Sequence, residues 1–257
     1  MPVQDILTLA PPPADARIPY GADPNQFADL RLPKSAGPHP VVVNIHGGFW
    51  RARYDLAHAG HLCAALANDG FATWNLEYRR VGNPGGGWPG SFEDITHGFQ
   101  FLQQIAAKYR LDLKRAIVMG HSAGGQLSLV LAAHQPSLRG AISLAGAVDM
   151  ARVHELKLSK DAVAEFLGGP PERVGDHYRE ADPIGLSMPK MPQRLVHGIK
   201  DDIVPIDISR RYRDAKQKAG EPVKLTEVPN AGHFELIDPR TEAWKSVVAA
   251  VRDLIHS

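Results

Sequence analysis

Short apolar runs alternate with longer segments of helical periodicity throughout this sequence of 257 residues. The most apolar run, at 41–46, has the near-continuous pattern typical of a strand that is covered on both faces. Strands that alternate with helices form a parallel sheet, because each helix provides the crossover that a parallel connection requires. The sequence therefore predicts an α/β fold with a mostly parallel central sheet of about eight strands, flanked by helices on both faces.

The individual elements follow from the same patterns. Strands are predicted at 41–46, 71–77, 116–120, 141–145, 194–197 and 223–228, with two weaker ones at 16–20 and 27–32. Helices are predicted at 56–68, 91–109, 122–134, 207–219 and 241–255. Ser91 is the expected N-cap of the second helix, because carboxylates follow it in the first turn.

Residues 151–192 do not follow this alternation. They combine a short helical pattern at 161–167 with several prolines, which is typical of irregular structure. We expect a small cap-like insertion that lies over the edge of the sheet and supplies part of the roof of a pocket. No linker marks a second core, so the sequence predicts a single domain over residues 1–257.

The composition excludes several classes of protein. The chain has 29 Lys and Arg against 28 Asp and Glu, whereas a surface that binds nucleic acid is strongly basic. Cys63 is the only cysteine, so an intramolecular disulfide and a multi-cysteine metal site are excluded. No apolar run approaches the length of a membrane span, and the first residues lack the basic start of a signal peptide. We expect a cytoplasmic protein that binds neither nucleic acid nor membrane, and the sequence leaves a homodimer open.

Residues 120–125 read Gly-His-Ser-Ala-Gly-Gly and lie between a predicted strand and a predicted helix. A Gly-x-Ser-x-Gly pattern at such a turn is typical of a nucleophile elbow, in which small neighbours let the serine hydroxyl stand at the edge of the sheet. The backbone N–H groups at the start of the helix can stabilise an oxyanion. Ser122 is therefore the candidate nucleophile. The alternative is a glycine-rich turn in which Ser122 only caps the helix.

Residues 46–50 read His-Gly-Gly-Phe-Trp and directly follow the most apolar strand. Glycines at this place let the main chain approach a bound carbonyl group. Their backbone N–H groups can complete an oxyanion hole together with the N–H of Ala123. The alternative is an ordinary turn at the end of a strand.

A carboxylate and a histidine follow the last two predicted strands. Asp201 and Asp202 come after the first of these strands, and His233 comes after the second. A carboxylate can orient a histidine that takes the proton of a nucleophilic serine. The order Ser122, then Asp201 or Asp202, then His233 is that of one hydrolase fold. The residues by themselves leave the choice between the two aspartates open.

Together these motifs resemble the α/β-hydrolase superfamily over nearly the whole chain. The segments at 46–50, 77–79 and 88–94 resemble those of hormone-sensitive-lipase-like and feruloyl-esterase-like carboxylesterases and of the arylformamidases, which are kynurenine formamidases. In these families the acid lies in a His-Gly-x-x-Asp-x-x-Val-Pro pattern, and this resemblance implies that Asp201 is the acid. It also implies that the oxyanion positions are Gly48, Phe49 and Ala123.

Two adjacent positions separate these branches. Phe49 replaces the third glycine of the lipase-like segment, whereas Trp50 matches the His-Gly-Gly-x-Trp form of the arylformamidases. The resemblance implies a serine hydrolase that cleaves small carboxylic esters through an acyl-enzyme intermediate. An arylformamidase acting on N-formylkynurenine-like formamides is the alternative. Further alternatives are a prolyl-oligopeptidase-like peptidase, although no propeller-length sequence is present, and a catalytically inactive binding module, although no triad member is missing.

The expected substrate pocket is largely aromatic, because pockets of this kind combine apolar walls with few polar groups. Its predicted lining is Trp50, Trp88, His121 and Phe234. The expected partner is a small ester or amide, and acyl transfer to water needs no cofactor. No spacing of histidines or carboxylates indicates a metal site, and His46, His121 and His197 are expected to shape loops through hydrogen bonds.

Overall fold

The computed structural model describes residues 6–188 and 190–256, and within them the strands form one eight-stranded sheet. The strands are β1 Ala16–Pro19, β2 Phe27–Arg31, β3 His39–Ile45, β4 Ala72–Leu76, β5 Leu111–His121, β6 Ala141–Leu144, β7 Gln193–Gly198 and β8 Val223–Val228. Their order in the sheet is β1-β2-β4-β3-β5-β6-β7-β8. The pairings of β2 with β1 and with β4 are antiparallel, and the five remaining pairings are parallel.

Helices cover both faces of the sheet. They are α1 Gly60–Asn68, α2 Gly90–Tyr109, α3 Ala123–His134, α4 Met150–Glu155, α5 Leu158–Leu167, α6 Pro171–Ala181, α7 Asp207–Lys218 and α8 Trp244–His256. Side chains of α1 and α8 pack with Val42 and Ile117, whereas those of α2, α3 and α7 pack on the opposite face with Val43 and Val118. Neighbouring strand residues thus point to opposite faces, and the predicted α/β architecture is confirmed. No helix within the described residues is long and apolar enough to cross a membrane.

The parallel strands bring their carboxyl ends to one edge of the sheet. Ile45 at the end of β3 pairs with Gly120 in β5, and Gly198 at the end of β7 pairs with Val228 at the end of β8. The loops that leave β3 and β5 therefore start side by side, as do those that leave β7 and β8, and all four lie at the same edge of the sheet. They are the loops that carry the sequence motifs described above.

The start of α2 differs from the sequence prediction. The helix begins at Gly90, and Pro89 is its N-cap. The hydroxyl of Ser91 donates to the carbonyl of Arg79 and accepts from the N–H of Gly87. Ser91 therefore ties the preceding loop to the helix rather than capping it, and the N-cap prediction is wrong.

The segment between β6 and β7 contains α4, α5 and α6. Phe166 in α5 is buried and stacks on Trp50, with 4.8 Å between the ring centroids. Arg51 donates from Nε to Glu165 at 2.7 Å and from Nη1 to the hydroxyl of Ser159 at 2.8 Å. The insertion is thus fastened to the loop that follows β3.

Candidate active site

Ser122 lies in a tight turn between β5 and α3. Its φ of 56° and ψ of −120° lie in a region that residues other than glycine rarely adopt. The turn has no room for larger neighbours, since a Cβ on Gly120 would lie 2.1 Å from the carbonyl oxygen of Gly124. A Cβ on Gly124 would lie 2.0 Å from the carbonyl oxygen of Ile45. The structure therefore has the strand, sharp turn and helix that the motif predicts.

His233 and Asp201 meet at the same edge of the sheet. His233 lies in the loop after β8 and Asp201 in the loop after β7. The Nδ1 atom of His233 is 2.7 Å from Oδ2 of Asp201. Asp202 is exposed, whereas Asp201 is buried. Of the two aspartates that the residues left open, Asp201 is therefore the one that contacts the histidine.

Several donors surround the carboxylate of Asp201. Its Oδ1 accepts the backbone N–H groups of Ile203 at 2.9 Å and Val204 at 2.8 Å. Its Oδ2 lies 3.3 Å from Nε2 of the fully buried His197. Burial by itself raises the pKa of Asp201, but the hydrogen bonds from His197 and His233 outweigh it and hold the pKa well below its ordinary value. Asp201 is therefore an anion at neutral pH.

The proton of His197 can be assigned from its partners. Nε2 is 2.8 Å from the carbonyl oxygen of Val204, which can only accept, so Nε2 carries the proton. Nδ1 accepts from the hydroxyl of Ser209 at 2.7 Å. His197 thus shapes the loop that presents Asp201, as the sequence predicts for a histidine that borders a motif.

His121 connects the serine turn to the loop of His233. Its Nε2 donates to the carbonyl oxygen of His233 at 2.9 Å, and the two rings lie 4.5 Å apart. Burial lowers the pKa of His121 well below its ordinary value, so the ring is neutral. The residue that precedes Ser122 therefore helps to fix the position of the backbone at His233.

A cavity of about 110 Å³ lies beside Ser122. It is lined by Leu7, Gly48, Phe49, Tyr54, His58, His121, Ser122, Ile203, His233 and Phe234. Among the described residues no direct hydrogen bond joins the hydroxyl of Ser122 to the ring of His233. Catalytic hydrogen bonds of this kind are often loose without substrate and tighten when it binds. The serine and the histidine thus border one small space.

The loop after β3 has an unusual backbone. Gly48, Phe49 and Trp50 have φ values of 117°, 51° and 56°. A Cβ on Gly48 would lie 2.6 Å from Cβ of Tyr54. Glycine is therefore required at this position both by the positive φ and by the lack of space. Among the described residues the backbone N–H groups of Gly48, Phe49 and Ala123 donate to no protein acceptor. Gly48 and Phe49 line the same cavity as Ser122, and Ala123 directly follows it, so these N–H groups are candidate donors to an oxyanion.

Glu77 is a buried carboxylate that holds the ring of His46 in place, a role that the sequence did not reveal. Its Oε1 lies 3.0 Å from Nε2 of His46, and its Oε2 accepts the backbone N–H of Leu56 at 3.0 Å. Tyr78 stacks on the ring of His46 and donates its hydroxyl to the carbonyl of the same residue at 3.0 Å. This network anchors His46, the first residue of the His-Gly-Gly-Phe-Trp segment.

The structure corrects the predicted positions of two tryptophans. Trp50 is fully buried, stacks on Phe166 and donates from Nε1 to Gln126 at 3.0 Å. Trp88 stacks on Phe92. Neither tryptophan lines the cavity, and both contact the ring of Phe166 in the insertion instead. His121 and Phe234 do line the cavity, as predicted.

The insertion is also placed differently from the expectation. No residue of 151–192 that the structure describes lines the cavity, so the segment does not form its roof. The sequence interpretation missed the lining residues Leu7, Tyr54, His58 and Ile203. Ile203 could have been found, since it lies two residues after Asp201. Leu7 carries no signal in the sequence.

The parts of the chain that the structure describes contain no cluster of three or more histidine, cysteine or acidic side chains arranged to hold a metal ion. Burial lowers the pKa of His58, a lining residue, to about 4, so this histidine is neutral at physiological pH. Two of the imidazoles that line the cavity, those of His58 and His121, are therefore neutral.

The sheet order and the serine turn at the carboxyl edge of its central strands define the chain as an α/β-hydrolase. The resemblance seen in the motifs is thereby confirmed. More specifically, the chain belongs to the BD-FAE family, which matches residues 28–215.

Two curated relatives illustrate the similarity in sequence. The chain is 26% identical to esterase LipC of Mycobacterium tuberculosis, over 93% of this chain and 65% of that protein. It is 25% identical to the isoprenylcysteine alpha-carbonyl methylesterase ICME of Arabidopsis thaliana, over 93% of this chain and 61% of that protein. The chain thus spans less than two thirds of the length of these relatives.

Solved structures show the same fold. Esterase B from Lactobacillus rhamnosis superposes with a TM-score of 0.83 at 19% identity, covering 98% of this chain and 89% of that one. A bacterial heroin esterase superposes with a TM-score of 0.73 at 22% identity, covering 89% of this chain and 78% of that one. Because both sequence identities are below 25%, this structural similarity establishes the fold only.

Proposed function

We propose that this chain is a serine hydrolase that cleaves small carboxylic esters through an acyl-enzyme intermediate. One observation carries the proposal: Ser122 and His233 border the same cavity, and the far side of His233 is held by the buried carboxylate of Asp201. The similarity to proteins named as esterases supports the choice of ester over other acyl substrates.

In the proposed mechanism Ser122 attacks the carbonyl carbon of the ester. The Nδ1–H of His233 donates to Asp201, so Nε2 holds the lone pair that takes the proton of the serine. Asp201 fixes this tautomer and stabilises the imidazolium that forms. His233 then gives the proton to the departing alcohol.

The negative charge that develops on the carbonyl oxygen needs donors that are already in place. The free backbone N–H groups of Gly48, Phe49 and Ala123 are suited to this role. The loss of one such donor costs about 3 kcal/mol of transition-state stabilisation. Water then enters and its oxygen attacks the acyl carbon while His233 takes a proton from it. His233 gives this proton to the oxygen of Ser122 as the bond to the acyl group breaks, and the product leaves as a carboxylic acid that ionises in water.

The proposal predicts that Ser122→Ala removes turnover of p-nitrophenyl acetate, with kcat falling at least about ten-thousand-fold, because no nucleophile remains. The variant keeps its fold, since alanine fits wherever serine fits. Ser35→Ala, at an exposed position, is the matched control and keeps full activity. Turnover of the folded Ser122→Ala protein near the wild-type rate would contradict the mechanism.

The arylformamidase alternative rests on the His-Gly-Gly-x-Trp form of the segment at 46–50. Trp50 packs on Phe166 and does not line the cavity, so its side chain makes no contact there that would select a formamide. A comparison of kcat/KM on N-formylkynurenine and p-nitrophenyl acetate tests the choice. We expect the ester to be the better substrate, and a clear preference for the formamide would reverse the assignment.

A further inference from the structure

One wall of the cavity comes from the segment that precedes β1. Leu7 lines the cavity, although it is far from the other lining residues in sequence. The neighbouring Ile6 is fully buried in the core below the sheet, and Leu7 packs against the same core. The segment therefore enters the fold next to Ser122.

Contacts with β2 and with helix α1 hold this segment in place. The Nη2 atom of Arg31 donates to the carbonyl of Pro12 at 2.8 Å. Pro11 lies so close to Gly60 that a Cβ there would be 2.5 Å from Cβ of the proline. His61 contacts the carbonyl of Leu9 through Nε2 at 3.3 Å. Leu7 is thus presented to the cavity by an anchored piece of chain.

Two further apolar side chains of the lining come from the loops of the proposed triad. Ile203 lies two residues after Asp201, and Phe234 follows His233. Together with Leu7, Phe49 and Tyr54 they form the apolar part of the wall. No described residue of the insertion contributes to it, so the size of the space depends on these side chains.

The space is small. Its volume of about 110 Å³ is below the roughly 150 Å³ of a cavity that holds one benzene molecule. An acyl group stays bonded to the serine after the alcohol has left, so a small space directly beside Ser122 suits the acyl group. A short chain such as acetyl, propionyl or butyryl fits this volume.

We propose that Leu7 closes the end of the acyl pocket and thereby restricts this hydrolase to short-chain acyl esters. The inference rests on the proposed function and adds to it a residue that determines specificity. Shortening Leu7 opens the apolar end of the pocket, where the next methylenes of a longer chain can be buried. Enlarging it fills space that a butyryl group occupies.

The test is the ratio of kcat/KM for p-nitrophenyl hexanoate to that for p-nitrophenyl butyrate. In Leu7→Ala this ratio rises at least about tenfold over wild type, which is the scale of a misfit by one methylene in an apolar pocket. Leu7→Phe lowers the ratio for butyrate over acetate. Leu9→Ala is the matched control, since Leu9 lies in the same segment but is 44% exposed, and it leaves both ratios unchanged.

The outcomes separate the two claims. If wild type hydrolyses the esters but neither Leu7 variant changes a ratio while both keep the wild-type melting temperature, the pocket assignment is overturned and the hydrolase proposal stands. A wild-type preference for octanoate over butyrate also overturns it. If the wild-type protein hydrolyses no ester of the series, both proposals fail together. Leu7→Phe keeps the test decisive should Leu7→Ala lose stability.

Discussion

The two oxygens of Asp201 have different partners, and this division explains why one aspartate of an adjacent pair is used. Oδ2 faces His233, while Oδ1 is held by the backbone N–H groups of Ile203 and Val204. The carboxylate can therefore not rotate away from the histidine without losing these bonds. Asp202 is exposed and has no such restraint. The position of the acid is thus set by loop geometry, which adjacent aspartates in a sequence do not reveal.

We predict that the conservative substitutions Asp201→Asn and Asp202→Asn have unequal effects on kcat. Asp201→Asn lowers kcat on p-nitrophenyl acetate about ten-thousand-fold, because an amide at this position favours the wrong tautomer of His233. Asp202→Asn leaves kcat unchanged. Steady-state kinetics of both purified variants measure the difference, and the reverse ranking would move the acid to Asp202.

Among the elements, the helices of the insertion between β6 and β7 are joined to one another by a buried carboxylate. Asp182 follows α6, and its Oδ2 accepts the backbone N–H of Met150 at the start of α4 at 3.1 Å. Burial, together with the nearby carboxylate of Asp149, raises the pKa of Asp182 to about 7. A titratable group therefore lies where the end of α6 contacts the start of α4.

The direction of the resulting pH effect follows from the raised pKa. Folding favours the protonated form of Asp182, so its contribution to stability is full below its ordinary pKa of 3.8 and is lost as the pH rises through about 7. We predict that wild type loses about 1 kcal/mol more unfolding free energy than Asp182→Asn between about pH 6 and pH 8. Urea denaturation at both pH values measures this difference. Equal losses in the two proteins would show that Asp182 does not titrate in this range.

For the whole molecule, the sequence predicts the architecture because buried parallel strands leave near-continuous apolar runs such as 41–46. Ser122 and His233 follow from motifs placed at strand ends. The residues that line the cavity cannot be predicted from such motifs. Trp50 packs on Phe166 of the insertion, and Leu7 reaches the cavity from a segment that precedes the first strand. Both depend on long-range packing, which local patterns do not encode.

Other properties of the whole molecule stay predictions. A cytoplasmic location and a small ester or amide as the substrate come from the sequence interpretation, which leaves a homodimer open. They depend on surfaces and on cellular context rather than on the geometry around Ser122.

The central claim is that Ser122 is a nucleophile activated by His233, and covalent labelling tests it most directly. The protein is incubated with a fluorophosphonate and the modified peptide is identified by mass spectrometry. We predict a single adduct on Ser122 in wild type, formed at least about a hundredfold more slowly in His233→Ala, because the general base is missing. An adduct on a different residue, or none on the folded wild-type protein, would contradict the account.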